Sequence, residues 1–222
     1  MLFETVVLTL RVAIVATLLN LPLALALSWL VVKKRVRGAF ILEVLASLPL
    51  AVPPVVVGYM LLLLMGRRGP IGSLIESSLG LEIAFTWIAA VLASAVVSFP
   101  LVARAVMTAM EEVDERLERS ARTLGAGTVR VALTITLPLA YRGILAGVLL
   151  GFIRALSEFG ATIIVAGNIP GKTQTIPLAI YDNIQLGRGE DTMSFVLVAL
   201  ALALATLAVH NWLLKRSRGR RA

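Results

Sequence analysis

Residues Leu117–Pro138 read LERSARTLGAGTVRVALTITLP. This is the core of the longest polar segment between apolar runs. Just ahead of it stand Glu111, Glu112, Asp114 and Glu115, and within it Glu118 precedes Arg119, Arg122 and Arg130. Acidic residues leading and basic residues trailing suit the dipole and the i,i+4 pairing of a short helix. Gly125 and Gly127 can end such a helix, and Pro138 stands before the next apolar run. On charge alone the segment is a solvated connection between two helices.

Outward from it, the chain is organised by the absence of charge. Of its 222 residues, 59% are hydrophobic and 15% charged, against about 45–50% and about 25% in soluble domains. Val12–Val32, Val44–Gly66, Ile83–Ala103 and Thr192–Leu214 carry no charge. Each reaches the roughly 20 residues a membrane helix needs. A fifth apolar run, about Leu139–Gly160, carries Arg154 and Glu158. The expected fold is all-α, with five transmembrane helices at about 10–32, 42–66, 83–105, 139–160 and 192–214. They form one membrane domain, 1–215, with a cytoplasmic segment at 109–138 and a basic tail at 216–222. The first run exceeds a signal-peptide core and is followed by basic residues, so it reads as a retained span.

The charges orient these spans. Of 21 Lys and Arg, 15 fall on one set of connections: Lys33 to Arg37, Arg104 to Arg142, and the tail from Lys215. Four, Arg67, Arg68, Lys172 and Arg188, fall on the other. The positive-inside rule places the first set in the cytoplasm, the N-terminus outside and the C-terminus inside. The net charge of +8 is thus a topology signal. Nucleic-acid binding would want stacking aromatics on a basic face, and only 6% of residues are aromatic. With no cysteine and one histidine, no metal site or thiol chemistry is expected. No catalytic residues are expected either, because the spans lack paired carboxylates. Five helices rarely enclose a polar pathway alone, so a two-fold homodimer in lipid is expected.

The quoted segment also resembles the loop that ABC importer permeases present to their ATPase. That loop has the pattern E-A-A-x-x-x-G, nine residues, then I-x-L-P. Arg119, Ser120 and Ala121 occupy its first positions, Gly125 its glycine, and Ile135, Leu137 and Pro138 its end. Arg119 stands where the family has Glu, and Glu118 lies one place earlier. Leu48–Gly72, LPLAVPPVVVGYMLLLLMGRRGPIG, and the stretch RALSEFGATIIVAGNIPGKTQTIPLAIY from Arg154 extend the likeness to nearly the whole chain. They resemble the molybdate ABC transporter permeases and, less closely, the sulfate permeases. The resemblance implies a type I importer fold and a homodimer in a prokaryotic plasma membrane. It implies two cytoplasmic ABC ATPase subunits, which use ATP and Mg while this chain binds no cofactor. It also implies an extracytoplasmic molybdate-binding protein. The ATPase-coupling residues would be Glu118, Arg119, Ser120, Ala121, Arg122, Thr123, Leu124, Gly125, Ala126, Ile135, Leu137 and Pro138. Some relatives carry an extra N-terminal span, and this chain is expected to lack it.

Other residues are read one by one. Pro53 and Pro54 either kink the second span or break it beside the pathway. Ser98 with Pro100 makes a weaker case in the third span, while Asn20 and Pro22 read as packing features. Arg154 and Glu158, i,i+4, form an ion pair fixing helix packing, or Arg154 attracts the anion. Ala166–Thr173, AGNIPGKT, matches a relaxed P-loop pattern but follows an apolar run rather than a strand. It is expected to contact the binding protein in a loop extending to Gln185. His210 reads as a packing residue, and Trp29, Trp87 and Trp212 as interfacial anchors. The rivals are a sulfate or tungstate permease, an ATP-independent carrier or channel, and an intramembrane enzyme.

Overall fold

Among the described residues, four helices in the computed structural model are long and apolar enough to cross a membrane: Leu2–Lys33, Trp87–Glu111, Thr128–Leu156 and Gly189–Trp212, called the first, third, fourth and fifth long helices because the bent pair Ala39–Ala51 and Pro54–Met65 stands second. Residues 2–34 and 36–218 are described, with side chains up to Trp212. Arg35 and the charges of the basic tail at 216–222 lie outside the described residues. The first helix, α1 (Leu2–Ser28), continues through a π-helical turn at Trp29–Lys33. Helices α2 (Ala39–Ala51) and α3 (Pro54–Met65) follow, then α4 (Pro70–Leu79) and α5 (Trp87–Glu111). The short α6 (Glu115–Thr123) and α7 (Thr128–Val131) lead through a second π turn, Ala132–Thr136, into α8 (Leu137–Leu156). The chain ends with α9 (Gly160–Val165), α10 (Ile176–Gln185) and α11 (Gly189–Arg218).

The expected second span at 42–66 is not one helix. It is α2 and α3, bent by 110° at Val52–Pro53. Pro53 and Pro54 supply no N–H, so the carbonyls ending α2 have no successors to bond, and Val52 turns extended. The expected segment at 109–138 also divides differently. Residues up to Glu111 belong to α5, and Thr128 onward is continuous with the fourth long helix. Only α6 and its flanking turns lie between. Ile83–Thr86 precede α5 as a turn, with the Thr86 hydroxyl donating to the Ile83 carbonyl at 2.6 Å. The fourth long helix stops at Leu156, so Glu158 lies beyond its end.

Small residues build the centre. The buried face of α1 is Thr5, Thr9, Val12, Ala13, Ala16, Thr17, Asn20, Ala24 and Ser28, while Leu18 and Leu23 on its other face are exposed. Large apolar residues outside and small or weakly polar ones inside is the arrangement suited to lipid, where apolar burial drives no association and close backbone approach does. α5 is the central helix, with 15 buried residues along its length. Against it α8 sets Gly143, Gly147 and Gly151. A Cβ on Gly147 would come within 2.5 Å of the Ala105 Cβ, and one on Gly151 within 2.2 Å of Val102 Cγ2. Asn20 ties α1 to α5, its amide donating to the Ala95 carbonyl at 2.9 Å and the Ser98 hydroxyl at 3.0 Å. Peripheral α11 is joined to α8 by the buried His210, whose Nδ1 lies 3.2 Å from the Ala146 carbonyl.

Candidate functional site

At the end of the bundle that carries Lys33 and Lys34, the short α6 connects α5 to the helix that begins at Thr128. Asp114 caps its start, accepting from the Arg116 N–H at 2.8 Å. Its end is a Schellman turn. The Ala126 N–H donates to the Ala121 carbonyl and the Gly125 N–H to the Arg122 carbonyl, both at 3.0 Å. Gly125 takes φ +86°, which a side chain would strain. The glycine read as a turn point is therefore one.

Around this turn the surface is unusually apolar for a polar loop. Leu124 is 88% exposed, and Val129 and Leu133 are also exposed. With Arg119, Ser120, Arg122 and Thr123, also exposed, they form a projecting knob. Arg119 Nη2 pairs with Glu115 Oε2 at 2.6 Å on the open surface. Ala121 and Ala126 are half-buried, as are Ile135 and Leu137 in the helix behind. Pro138 is exposed just after the π turn Ala132–Thr136, inside the long helix Thr128–Leu156, where it withholds one N–H from the carbonyls of the preceding turn.

Glu118 does not join this surface. It is the only buried residue of α6. Its Oε1 accepts from Lys33 Nζ at 2.9 Å and from the Thr136 hydroxyl at 2.7 Å. Both charged side chains of the pair are 6% exposed. The sequence reading did not find Lys33 or Thr136 as partners, because they lie on other elements. Each is the last residue of one of the two π turns.

Toward the opposite end, the residues considered for a pathway come together in part. Pro54 and Val55 lie against Gly160, where a Cβ would meet Pro54 Cβ at 3.1 Å. One turn along, a Cβ on Gly58 would be 2.5 Å from the Ala161 carbonyl. α3 and α9 therefore pack backbone to backbone just beyond their two chain breaks. Glu158 lies in the second break. Its Oε2 pairs with Arg154 Nη1 at 2.8 Å, and its Oε1 accepts from the Ala161 N–H at 2.7 Å. The Glu158 side chain is 1% exposed and that of Arg154 29%. Ser98 has its hydrogen bonds elsewhere, fully buried between α1 and α5, donating to the Ser94 carbonyl at 2.6 Å.

The AGNIPGKT stretch is a closed turn. The Ile169 carbonyl accepts from the N–H groups of Lys172, Thr173 and Gln174, and the buried Thr173 hydroxyl accepts from the Ile169 N–H. These four N–H groups are spent inside the turn rather than on a phosphate, and helix α9 rather than a strand precedes it. The expected loop up to Gln185 is instead helix α10, with Leu178 and Asn183 buried. The turn is tied to the stretch before α5, where the Phe85 N–H donates to the Val165 carbonyl at 2.9 Å. On the same face Arg67 bridges Glu76 at 2.9 Å and Glu82 at 3.1 Å. The hydrogen bond and charge of Glu76, with Glu82, push this exposed guanidinium above its already high ordinary value, so it is a fixed cation. Arg11 lies over the Trp87 ring at 3.9 Å, joining the first and third long helices near the start of α5. Among the described residues, no group of three or more His, Asp or Glu is placed to hold a metal ion.

The chain matches known proteins over nearly its whole length. It is 48% identical to the molybdenum transport system permease protein ModB of Escherichia coli, over 98% of this chain and 96% of that one. It is 50% identical to ModB of Haemophilus influenzae, over 94% and 92%. It is 37% identical to the sulfate transport system permease protein CysW of Synechococcus elongatus, over 99% of this chain and 76% of that one. The fold is shared with the MetNI methionine ABC transporter in its inward-facing form, with a TM-score of 0.71 at 15% identity, covering 97% of this chain and 94% of that one. A second match is an amino acid ABC transporter, with a TM-score of 0.66 at 18% identity, over 97% and 93%. The family model for binding-protein-dependent transport system inner membrane components spans residues 20–219. A multi-pass helical bundle, small-residue seams and a projecting helix closed by Gly125 thus go with a full-length family match, and the chain belongs to the binding-protein-dependent transport system inner membrane components.

Proposed function

We propose that this chain is the membrane-spanning permease subunit of an ATP-driven importer for molybdate. The observation that carries the proposal is the knob around α6 on a chain of this family. A polar helix closed by Gly125 carries exposed Leu124, Val129 and Leu133 beside it. Apolar side chains raised on a rigid turn fit a cleft in a soluble partner, and two ABC ATPase subunits are the partners proposed. Orientation follows the basic charges, with α6 in the cytoplasm, the N-terminus outside and the C-terminus inside. Two copies of the chain would form the pathway between them. An extracytoplasmic binding protein would deliver the oxyanion to the opposite face, where Arg67 and Lys172 lie.

The mechanism is alternating access. ATP, with Mg, brings the two ATPases together, their clefts carry the two α6 knobs, and the membrane helices follow. This chain itself binds no nucleotide and catalyses no step. Pro53, Pro54, Arg154 and Glu158 are proposed to line or gate the path. They gather where two helices are interrupted, and interrupted backbone in a membrane requires protein or water beside it. Ser98, held by Asn20, contributes to the α1–α5 contact on that path's wall. Arg154, partly exposed, supplies the attraction for a dianion, while Glu158 holds its guanidinium in place.

Molybdate is favoured over sulfate because the ModB proteins of Escherichia coli and Haemophilus influenzae match at 48% and 50% identity and CysW of Synechococcus elongatus at 37%. The test is reconstitution in vesicles with the cognate ATPase and binding protein. ATP-dependent molybdate uptake is expected. Uptake that needs no ATP overturns the importer reading, and equal sulfate uptake at matched concentration overturns the substrate.

A further inference from the structure

We infer that Glu118 is a positioning residue for transport, the joint that fixes α6 to the first and fourth long helices throughout the cycle. The inference rests on the proposed importer function and adds how motion of α6 reaches the membrane. Three observations support it.

First, Glu118 is where α6 meets the interior of the bundle. The helix lies between the turn after Glu111 and the Schellman turn at Gly125, and Glu118 is its one buried residue. A helix hung between two turns can swing unless a side chain pins it. Second, a single carboxylate oxygen meets both anchors, Lys33 Nζ at 2.9 Å and the Thr136 hydroxyl at 2.7 Å. Lys33 ends the first long helix and Thr136 lies in the fourth, so one group joins three elements. With both charged side chains 6% exposed, neither charge can rehydrate without opening the junction. Breaking such a pair on one side leaves a buried charge uncompensated, so the contact resists being pulled apart. Third, both anchors close π-helical turns, Trp29–Lys33 and Ala132–Thr136. Such wide turns are rare and recur where helices do work. Two of them meeting at one carboxylate place the deformable parts of the long helices on the membrane side of the joint.

The chain has no cysteine, so paired cysteines can be introduced on a silent background. The experiment uses the full complex in vesicles, with molybdate uptake and ATP hydrolysis measured on the same sample. Glu118→Gln and Lys33→Met are expected to keep the ATPase bound and hydrolysing while uptake per ATP falls at least tenfold. The exchange Glu118→Lys with Lys33→Glu is expected to recover most of it. Thr136→Val, which removes one hydrogen bond and spares the ion pair, is expected to lower the ratio by a few-fold and guards against variants that do not fold. A short cross-link between Lys33→Cys and Glu118→Cys, which replaces the lost ion pair by a covalent tie, is expected to raise uptake per ATP several-fold above that of the same protein before cross-linking. A spin label at Ser120→Cys, independent of any substrate, is expected to gain mobility in Glu118→Gln.

Three results would overturn the joint. One is loss of ATPase binding in Glu118→Gln with no change in label mobility, which would put the carboxylate at the partner surface. Another is loss of uptake on cross-linking that reduction restores, which would mean the contact opens in each cycle. The last is an unchanged uptake-to-hydrolysis ratio in all the variants. If the wild-type complex takes up no molybdate, the proposed function fails instead, and the label still reports on the joint.

Discussion

Glu118 and Glu158 are two buried carboxylates with nearly the same chemistry and opposite reach. Each pairs with one cation and accepts one neutral hydrogen bond. Glu158 finds both donors within a few residues, at Arg154 and Ala161. It pairs across the end of α8 and bonds into the first turn of α9, a local cap for a chain break. Glu118 finds its cation on the first long helix and its hydroxyl on the fourth. The same pair of interactions therefore closes a local turn in one place and ties three separate elements in the other. The partners differ in their access to water as well. Lys33 is 6% exposed and Arg154 29%, so only the second can rehydrate when its carboxylate is removed.

This difference predicts an order of effects. Glu118→Ala is expected to cost most, about 3–5 kcal/mol, because it strands a buried ammonium. Thermal unfolding in detergent reads it, and Glu118→Leu with Lys33→Met is expected to recover most of the loss. A double variant no more stable than the single one would mean that stranded charge is not the cause. Glu158→Gln is expected to cost about 1–2 kcal/mol, since the amide oxygen still accepts from Ala161 and Arg154 turns to water. Hydrogen exchange should accelerate at Gly160–Val165 and not at α6. Faster exchange at both would break the contrast between local and long-range roles. Thr136→Val is expected to cost about 1 kcal/mol, one hydrogen bond. Arg119→Ala removes an exposed pair with Glu115 and is expected to shift stability by less than about 1 kcal/mol. A larger loss would mean that α6 is pinned through its open face as well.

Much of the fold could be read without coordinates. The uncharged runs mark where the long helices lie, because a membrane admits few charges. Gly125 announces the end of α6, because only a residue without Cβ sits easily at φ +86°. Pro53 and Pro54 announce an interruption, because proline lacks a donor wherever it stands. Gly143, Gly147 and Gly151, four residues apart, carried a legible signal that the sequence reading passed over. Glycines at that spacing form one helix face, and that face meets Ala105 and Val102 of α5. Asn20 was legible as a packing residue, though not its partners on α5.

What the sequence determined by itself is therefore what acts within a turn or a span: apolar length, charge asymmetry, glycine and proline punctuation. Tertiary structure alone decided the 110° bend after Val52, since proline removes hydrogen bonds but sets no direction, and α3 goes where α9 receives its backbone. It alone decided that Glu118 faces inward while Arg119, one residue on, faces out. A helix turns about 100° per residue, so neighbours on α6 look alike in sequence until Lys33 and Thr136 arrive from elsewhere in the chain to select one face for burial.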